Sequence, residues 1–164
     1  MDAVLRTLVI TGLALLAGCA AGPRFDTAGI DTGTTPRRAV AEAERLAGQR
    51  VLWGGMVIET TNLAERTRLE VLGYPLDASQ RPDTDAEPLG RFLVTRSGYL
   101  ESVDYRTGRL VTVVGPVTGV RDGRVGEAPY RYPVVGAERI HLWPARYGPG
   151  ATRVHFGVGV IFSN

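Results

Sequence analysis

From Arg50 onward, apolar and polar side chains follow a period of two. Val51, Trp53, Gly55, Val57 and Glu59 alternate with Leu52, Gly54, Met56 and Ile58. Both sets are largely apolar, so this stretch reads as a strand with little exposure to water, bent or bulged at its glycines. Asn62 to Glu65 reads as a turn. Four more strands follow: Arg68–Leu76, Gly90–Thr95, Arg109–Val120 and Tyr132–Leu142. The second is interrupted near its end by Gly73-Tyr74-Pro75, and the fourth is kinked at Gly115-Pro116. Asp77 to Glu87 is a polar surface loop. The segment from Ser97 to Gly108 has room for one or two helical turns at most. Asp122-Gly123 is a hairpin-type turn between the last two strands.

Upstream the period changes. Thr35 is a good N-cap and Pro36 suits the first helical position. Val40, Ala43, Leu46 and Ala47 then make a narrow apolar stripe at helical spacing, and Gly48 is a natural stop. The expected fold is mainly β: a five- to six-stranded OB-like barrel preceded by one short α-helix. Three strands, a connection and two more strands form that layout, and closure removes the exposed sheet edges. An open five-stranded α+β sandwich is the alternative. Residues 153–162 alternate again and offer a sixth strand at an edge, available for strand addition.

The start of the chain follows neither period. Thr7 to Ala17 is an uninterrupted, mostly apolar run behind a short polar start. A bilayer span needs about 20 such residues; the h-region of an export signal needs about 7–15. Leu16-Ala17-Gly18-Cys19 follows at once and reads as a lipobox, with Cys19 as the acceptor of a thioether-linked diacylglycerol. The expected division is a signal peptide over 1–18, a lipidated flexible tether over 19–35, the helix and barrel over 36–145, and a tail over 146–164. The tether is expected because 20–35 is rich in Gly, Thr, Ala and Asp with no apolar period. Outer-membrane lipid, reached through acylated Cys19, is the first expected partner. By similarity to the bacterial sorting rule, Ala20 after the cysteine sends the protein to the outer membrane, with its domain facing the periplasm.

Composition sharpens this picture mainly by exclusion. The 164 residues include two histidines and one cysteine, with a net charge of +2. Every one of the nineteen basic residues is arginine, which excludes Schiff-base and P-loop lysine chemistry. No Cys/His zinc site and no internal disulfide can be built, and no cofactor is expected. A solitary thiol at the lipobox is also what lipidation of an exported chain predicts.

Several short pieces follow one another in order: Trp53-Gly54-Gly55-Met56-Val57, Leu69-Glu70-Val71, Tyr74-Pro75-Leu76-Asp77 and Gly90-Arg91-Phe92-Leu93. Ser97-Gly98-Tyr99-Leu100, Tyr105, Val111 to Gly115, Tyr132-Pro133 and Ile140-His141-Leu142-Trp143 continue the series. Together they resemble the Slp family of outer-membrane lipoproteins. The resemblance runs from the lipobox to Trp143 and leaves the tail divergent. It implies an outer-membrane lipoprotein tied to starvation, stationary-phase and acid-stress physiology, and it carries no catalytic motif.

Candidate chemistry is thin. His141 could sense pH, but a strand residue between Ile140 and Leu142 is more simply structural, and His155 is no better placed. Asp83 with Asp85, and Glu42 with Glu44, lie in a loop and on a solvated helix face, poor settings for splitting carboxylate pKa values. Trp53 and Trp143 read as core plugs. Arginines 66, 68, 91, 96, 106, 109, 121, 124 and 131 cluster at strand ends and turns. A rim of Tyr99, Tyr105, Arg106, Tyr130 and Arg131 could take a glycan, a peptide or a small anionic ligand. Beyond lipid, the expected partner in an envelope compartment is an envelope protein or a glycan, and not nucleic acid. The expected role is non-enzymatic: structural or protective, or else that of a binding module.

Overall fold

The computed structural model describes residues 24–145. The lipobox, Cys19, Ala20 and the alternating stretch 153–162 lie outside the described residues. The elements are α1 (Pro36–Ala41), α2 (Ala43–Leu46), β1 (Arg50–Asn62), β2 (Arg66–Tyr74), β3 (Gly90–Ser97), β4 (Leu110–Val125), β5 (Ala128–Gly136) and β6 (Arg139–Leu142).

The strands pair in the order β1-β2-β3-β5-β4, and β4 returns to β1, so five strands form a ring. All pairings are antiparallel except β3 with β5, where Leu93, Val94 and Thr95 face Val134, Val135 and Gly136 in parallel. This is the OB-like barrel. One side chain in two points inward, and these fill the interior: Val51, Trp53, Val57, Leu69, Val71, Phe92, Val94, Val111, Val113, Val117 and Val135. Trp53 meets Phe92 edge-on at 5.3 Å between ring centres.

Each end of the barrel is plugged. At one end Ala39 of α1 and Leu46 of α2 are fully buried. Thr35 caps α1 by accepting from the Arg38 amide. The expected single helix is two short ones, because Glu42 leaves helical geometry at φ −111, ψ 23. Of the expected stripe only Leu46 is buried, and the other buried helical positions are Pro36 and Ala39. At the other end the β3–β4 connection is a series of turns with no helix. Leu100 and Tyr105 pack inward there. Asn62 and Thr60 donate to the Leu100 and Tyr105 carbonyls, at 3.1 and 2.7 Å.

Two further expectations are corrected. Asp122-Gly123 is not the hairpin turn: both residues lie inside β4, paired with Arg131 and Tyr130, and the chain reverses at Gly126-Glu127. The hairpin is therefore longer than its Asp-Gly signal implied, with a second turn glycine at φ +58. The expected fifth strand is also two: β5 and β6 both lie along β4, separated by Ala137 and Glu138. These two spend their amides elsewhere, on Thr95 O and Val114 O. The sixth strand among the described residues is thus β6.

The largest correction concerns the tether. Residues 24–35 are not free but lie as a strap on the outer face of β1 and β4. Phe25 covers Leu52 and Val114 and is 5% exposed. The Gln80 side-chain amide clamps it twice, accepting from Phe25 N at 2.7 Å and donating to Phe25 O at 3.0 Å. Asp31 pairs with Val51, beyond the point where β2 ends with Tyr74 opposite Gly54. The Trp53 indole N–H donates to Thr34 O at 2.7 Å. Composition hid this, because one phenylalanine and a few backbone bonds suffice to dock a polar segment on an otherwise bare apolar pair.

Candidate functional site

The positions that do not point inward on β2, β3, β5 and the distal half of β4 line an open face. Arg68 stands opposite Thr95, and Glu70 opposite Leu93. Leu93 is flanked by Val134, and Arg121 by Tyr132. Two adjoining depressions follow, of about 210 and 290 Å³, which share Arg68, Leu93 and Arg121. One is bounded by Glu59, Glu70, Arg124 and Tyr132, the other by Leu63, Arg66, Thr118 and Val120. Together they form a groove between the β1–β2 turn and the β4–β5 hairpin.

Its charges are unevenly matched. Arg91 is paired with Glu70. Asp122 reaches Arg131 only at 3.5 Å, with both side chains exposed. Arg66, Arg68 and Arg121 have no guanidinium partner among the described residues. Tyr132 is the aromatic residue of the groove, yet it is 4% exposed and its hydroxyl donates to Arg124 O at 2.8 Å. Burial, and next the neighbouring Glu70, raise its pKa, so the phenol stays protonated.

The expected rim does not assemble. Tyr99 is 65% exposed in the β3–β4 connection, while Tyr105 plugs the barrel end beneath it. Arg106 borders a separate hollow with Arg81 and Arg109. Tyr130 accepts from the Arg91 amide at 2.9 Å on β5. Arg131 lies beside α1 and α2. The groove arginines were legible as part of the cationic set, but not as a group. The outward register of the second strand finds Arg66 and Arg68, whereas Arg121 on β4 joins them only through closure of the ring.

His141 and Trp143 form a second cluster on the outer side of β4 and β6. Their rings meet edge-on at 4.4 Å, and Arg81 stacks over Trp143 at 5.3 Å. The Trp143 indole donates to Thr112 Oγ1 at 2.9 Å, and Arg109 donates to Trp143 O at 3.0 Å. Both tryptophans are buried, but only Trp53 belongs to the core as expected; Trp143 is buried against Thr112 on the outer side of the barrel. Burial first, then the charge on Arg81, lower the His141 pKa. Its folded-state value therefore lies below the unfolded value of about 6.5. This contribution to stability is full above about pH 6.5 and is lost as pH falls through the folded-state pKa. Urea midpoints at pH 7.5 and 5.5 should differ more for wild type than for His141→Phe. An equal difference in both proteins would remove His141 as the cause. The carboxylates held low by hydrogen bonds, Asp31 and Asp77, titrate below this window.

Ser79 donates to Asp77 at 2.6 Å, and Ser102 accepts from Asn62 at 3.1 Å. No helix among the described residues is long and apolar enough to cross a membrane.

The family model described as "Outer membrane lipoprotein Slp family" matches residues 16–157. The chain belongs to the Slp family of outer-membrane lipoproteins. It is 38% identical over 132 residues to the uncharacterized lipoprotein YeaY of Escherichia coli K12, covering 78% of this chain and 68% of that one. It is 36% identical over 99 residues to the outer membrane protein Slp of the same strain, covering 60% and 52%. The match to this second curated relative thus spans about half of that relative's length. Among solved structures, a small single-stranded DNA-binding protein from Streptomyces coelicolor aligns with TM-score 0.37 and 22% identity, over 61% of this chain and 98% of that one. Schizosaccharomyces pombe Pot1pC aligns with TM-score 0.32 and 13% identity, over 61% and 82%. Membership of the Slp family places this chain at the outer membrane.

Proposed function

We propose that this Slp-family chain is a non-enzymatic binding protein, anchored by acylated Cys19 with its barrel on the periplasmic side. The reading rests on the groove, where three unpaired arginines (Arg66, Arg68 and Arg121) stand over a floor of Leu93, Val120 and Val134. Guanidinium groups offer forked N–H donors suited to carboxylate and phosphate. An exposed aromatic platform, the usual means of stacking sugars or bases, is missing here because Tyr132 is buried. The ligand class that fits is therefore an anionic glycan, an acidic peptide or a small anion. A protective role under starvation or acid stress is compatible with such binding.

Two measurements test this. Cells fed labelled palmitate should label the wild type and not Cys19→Ala, which should leave the membrane fraction. The mature chain should bind polyglutamate or polygalacturonate and not neutral dextran. A charge-assisted hydrogen bond is worth about 1.5–3 kcal/mol, so Arg68→Ala or Arg121→Ala should each weaken binding about tenfold or more. Binding unchanged in both variants would remove the groove from the reading.

A further inference from the structure

The docked strap shortens the link between barrel and lipid. Cys19 lies five residues before Arg24, where the strap begins, so the two Cα atoms are at most about 18 Å apart. Were the whole segment to Thr35 free, the same limit would be roughly 55 Å. An anchor at Cys19 therefore holds the side of the barrel that carries Phe25 close to the bilayer.

That side suits a lipid surface. Arg24 and Arg139 are exposed there, and the Arg139 guanidinium lies over the Phe25 ring at 4.8 Å. Arg81 belongs to the adjoining loop, which carries the Gln80 clamp. Beside the strap opens a cleft of about 530 Å³ whose lining includes Leu52, Tyr74, Leu76 and Leu89. Exposed arginines beside an apolar cleft match phosphate headgroups above acyl chains; of the exposed acids adjoining Phe25 and Arg139 in sequence, Asp26 and Glu138, the second is already paired with Arg50. The groove lies elsewhere. In the ring β1-β2-β3-β5-β4, the strap covers the β1–β4 junction and the groove centres on β3, the strand two places from both.

We propose that the strap fixes the orientation of the barrel, with the Phe25–Arg139 face against the phospholipid surface and the Arg68–Arg121 groove turned away into the periplasm. This rests on acylation at Cys19 but not on what the groove binds, so failure of the ligand titrations leaves it standing.

The test uses the full lipidated chain in phosphatidylethanolamine–phosphatidylglycerol vesicles doped with a nickel-chelating lipid. Because Cys19 is the one native thiol and acylation blocks it, a nitroxide can be placed by Ala28→Cys, Arg139→Cys, Thr118→Cys or Arg121→Cys. Lipid-borne nickel should broaden the label at 28 and 139 severalfold more than at 118 and 121. Equal broadening on both faces, or stronger broadening at 121, overturns the proposal. In a Phe25→Ala, Gln80→Ala background with unchanged circular dichroism, the contrast between faces should collapse. Its persistence there would show that the strap does not set the orientation. Should that background fail to fold, the four labels in the unaltered strap decide alone.

Discussion

Gly115→Ala is expected to destabilise the barrel by at least about 3 kcal/mol, beyond the usual cost of overpacking a core. A Cβ at Gly115 would sit 2.0 Å from Gly136 O, 2.9 Å from Gly136 C and 3.1 Å from Glu138 N. All three are backbone atoms of the break between β5 and β6, where no side chain can rotate aside. Gly55 is in the same position against Leu72 O, also at 2.0 Å. Here the need for glycine is close approach of strands and not a positive φ. Gly98 makes the contrast: it has φ +82 and open space around it, so Gly98→Ala should cost only about 1–2 kcal/mol. Urea denaturation of the three proteins measures the difference. A Gly115→Ala variant within about 1 kcal/mol of wild type would mean that the end of β5 does not approach β4 as closely as described. Small domains have about 5–15 kcal/mol in all, so the variant should also accumulate poorly.

Phe92→Ala should cost about 3–5 kcal/mol, the range for emptying a large buried aromatic site. Phe92 is fully buried and is the largest of the fully buried side chains among the described residues. It packs edge-on against Trp53, whose indole in turn holds the strap at Thr34 O. Its neighbours in sequence point the other way: Leu93 lines the groove, and Arg91 holds Glu70 at its edge. The loss should therefore appear twice, as a lowered thermal midpoint and as weakened binding of acidic probes by the protein that remains folded. Phe92→Leu, which keeps most of the volume, should recover much of both. A Phe92→Ala midpoint within a few degrees of wild type would count against this packing.

The barrel was legible because its signal is local. A period of two, written in Val, Leu and Trp from Val51 to Leu142, places each strand and its inward face with little reference to any other strand. Boundaries were less secure where two local signals competed. Asp122-Gly123 has turn chemistry, yet cross-strand pairing with Arg131 and Tyr130 held it extended, and Gly126 took the turn. The break at Ala137-Glu138 has no turn signature, since it is set by two amides reaching different strands. The candidate site was legible only in its ingredients. Arg66, Arg68 and Arg121 lie on two strands far apart in sequence, and only closure of the ring brings them to one face. The tyrosines chosen alongside them were scattered by the same closure to opposite ends.

The sequence by itself determined the strand content and the family, because each is carried by residue types in a short or ordered run. Only the tertiary structure decided where the polar segment before Thr35 goes. Its docking depends on Phe25 meeting Leu52, Val114 and Gln80, residues from three distant parts of the chain. No periodicity within residues 24–35 encodes such a contact, which forms only after β1 and β4 have paired and left an apolar outer patch to cover.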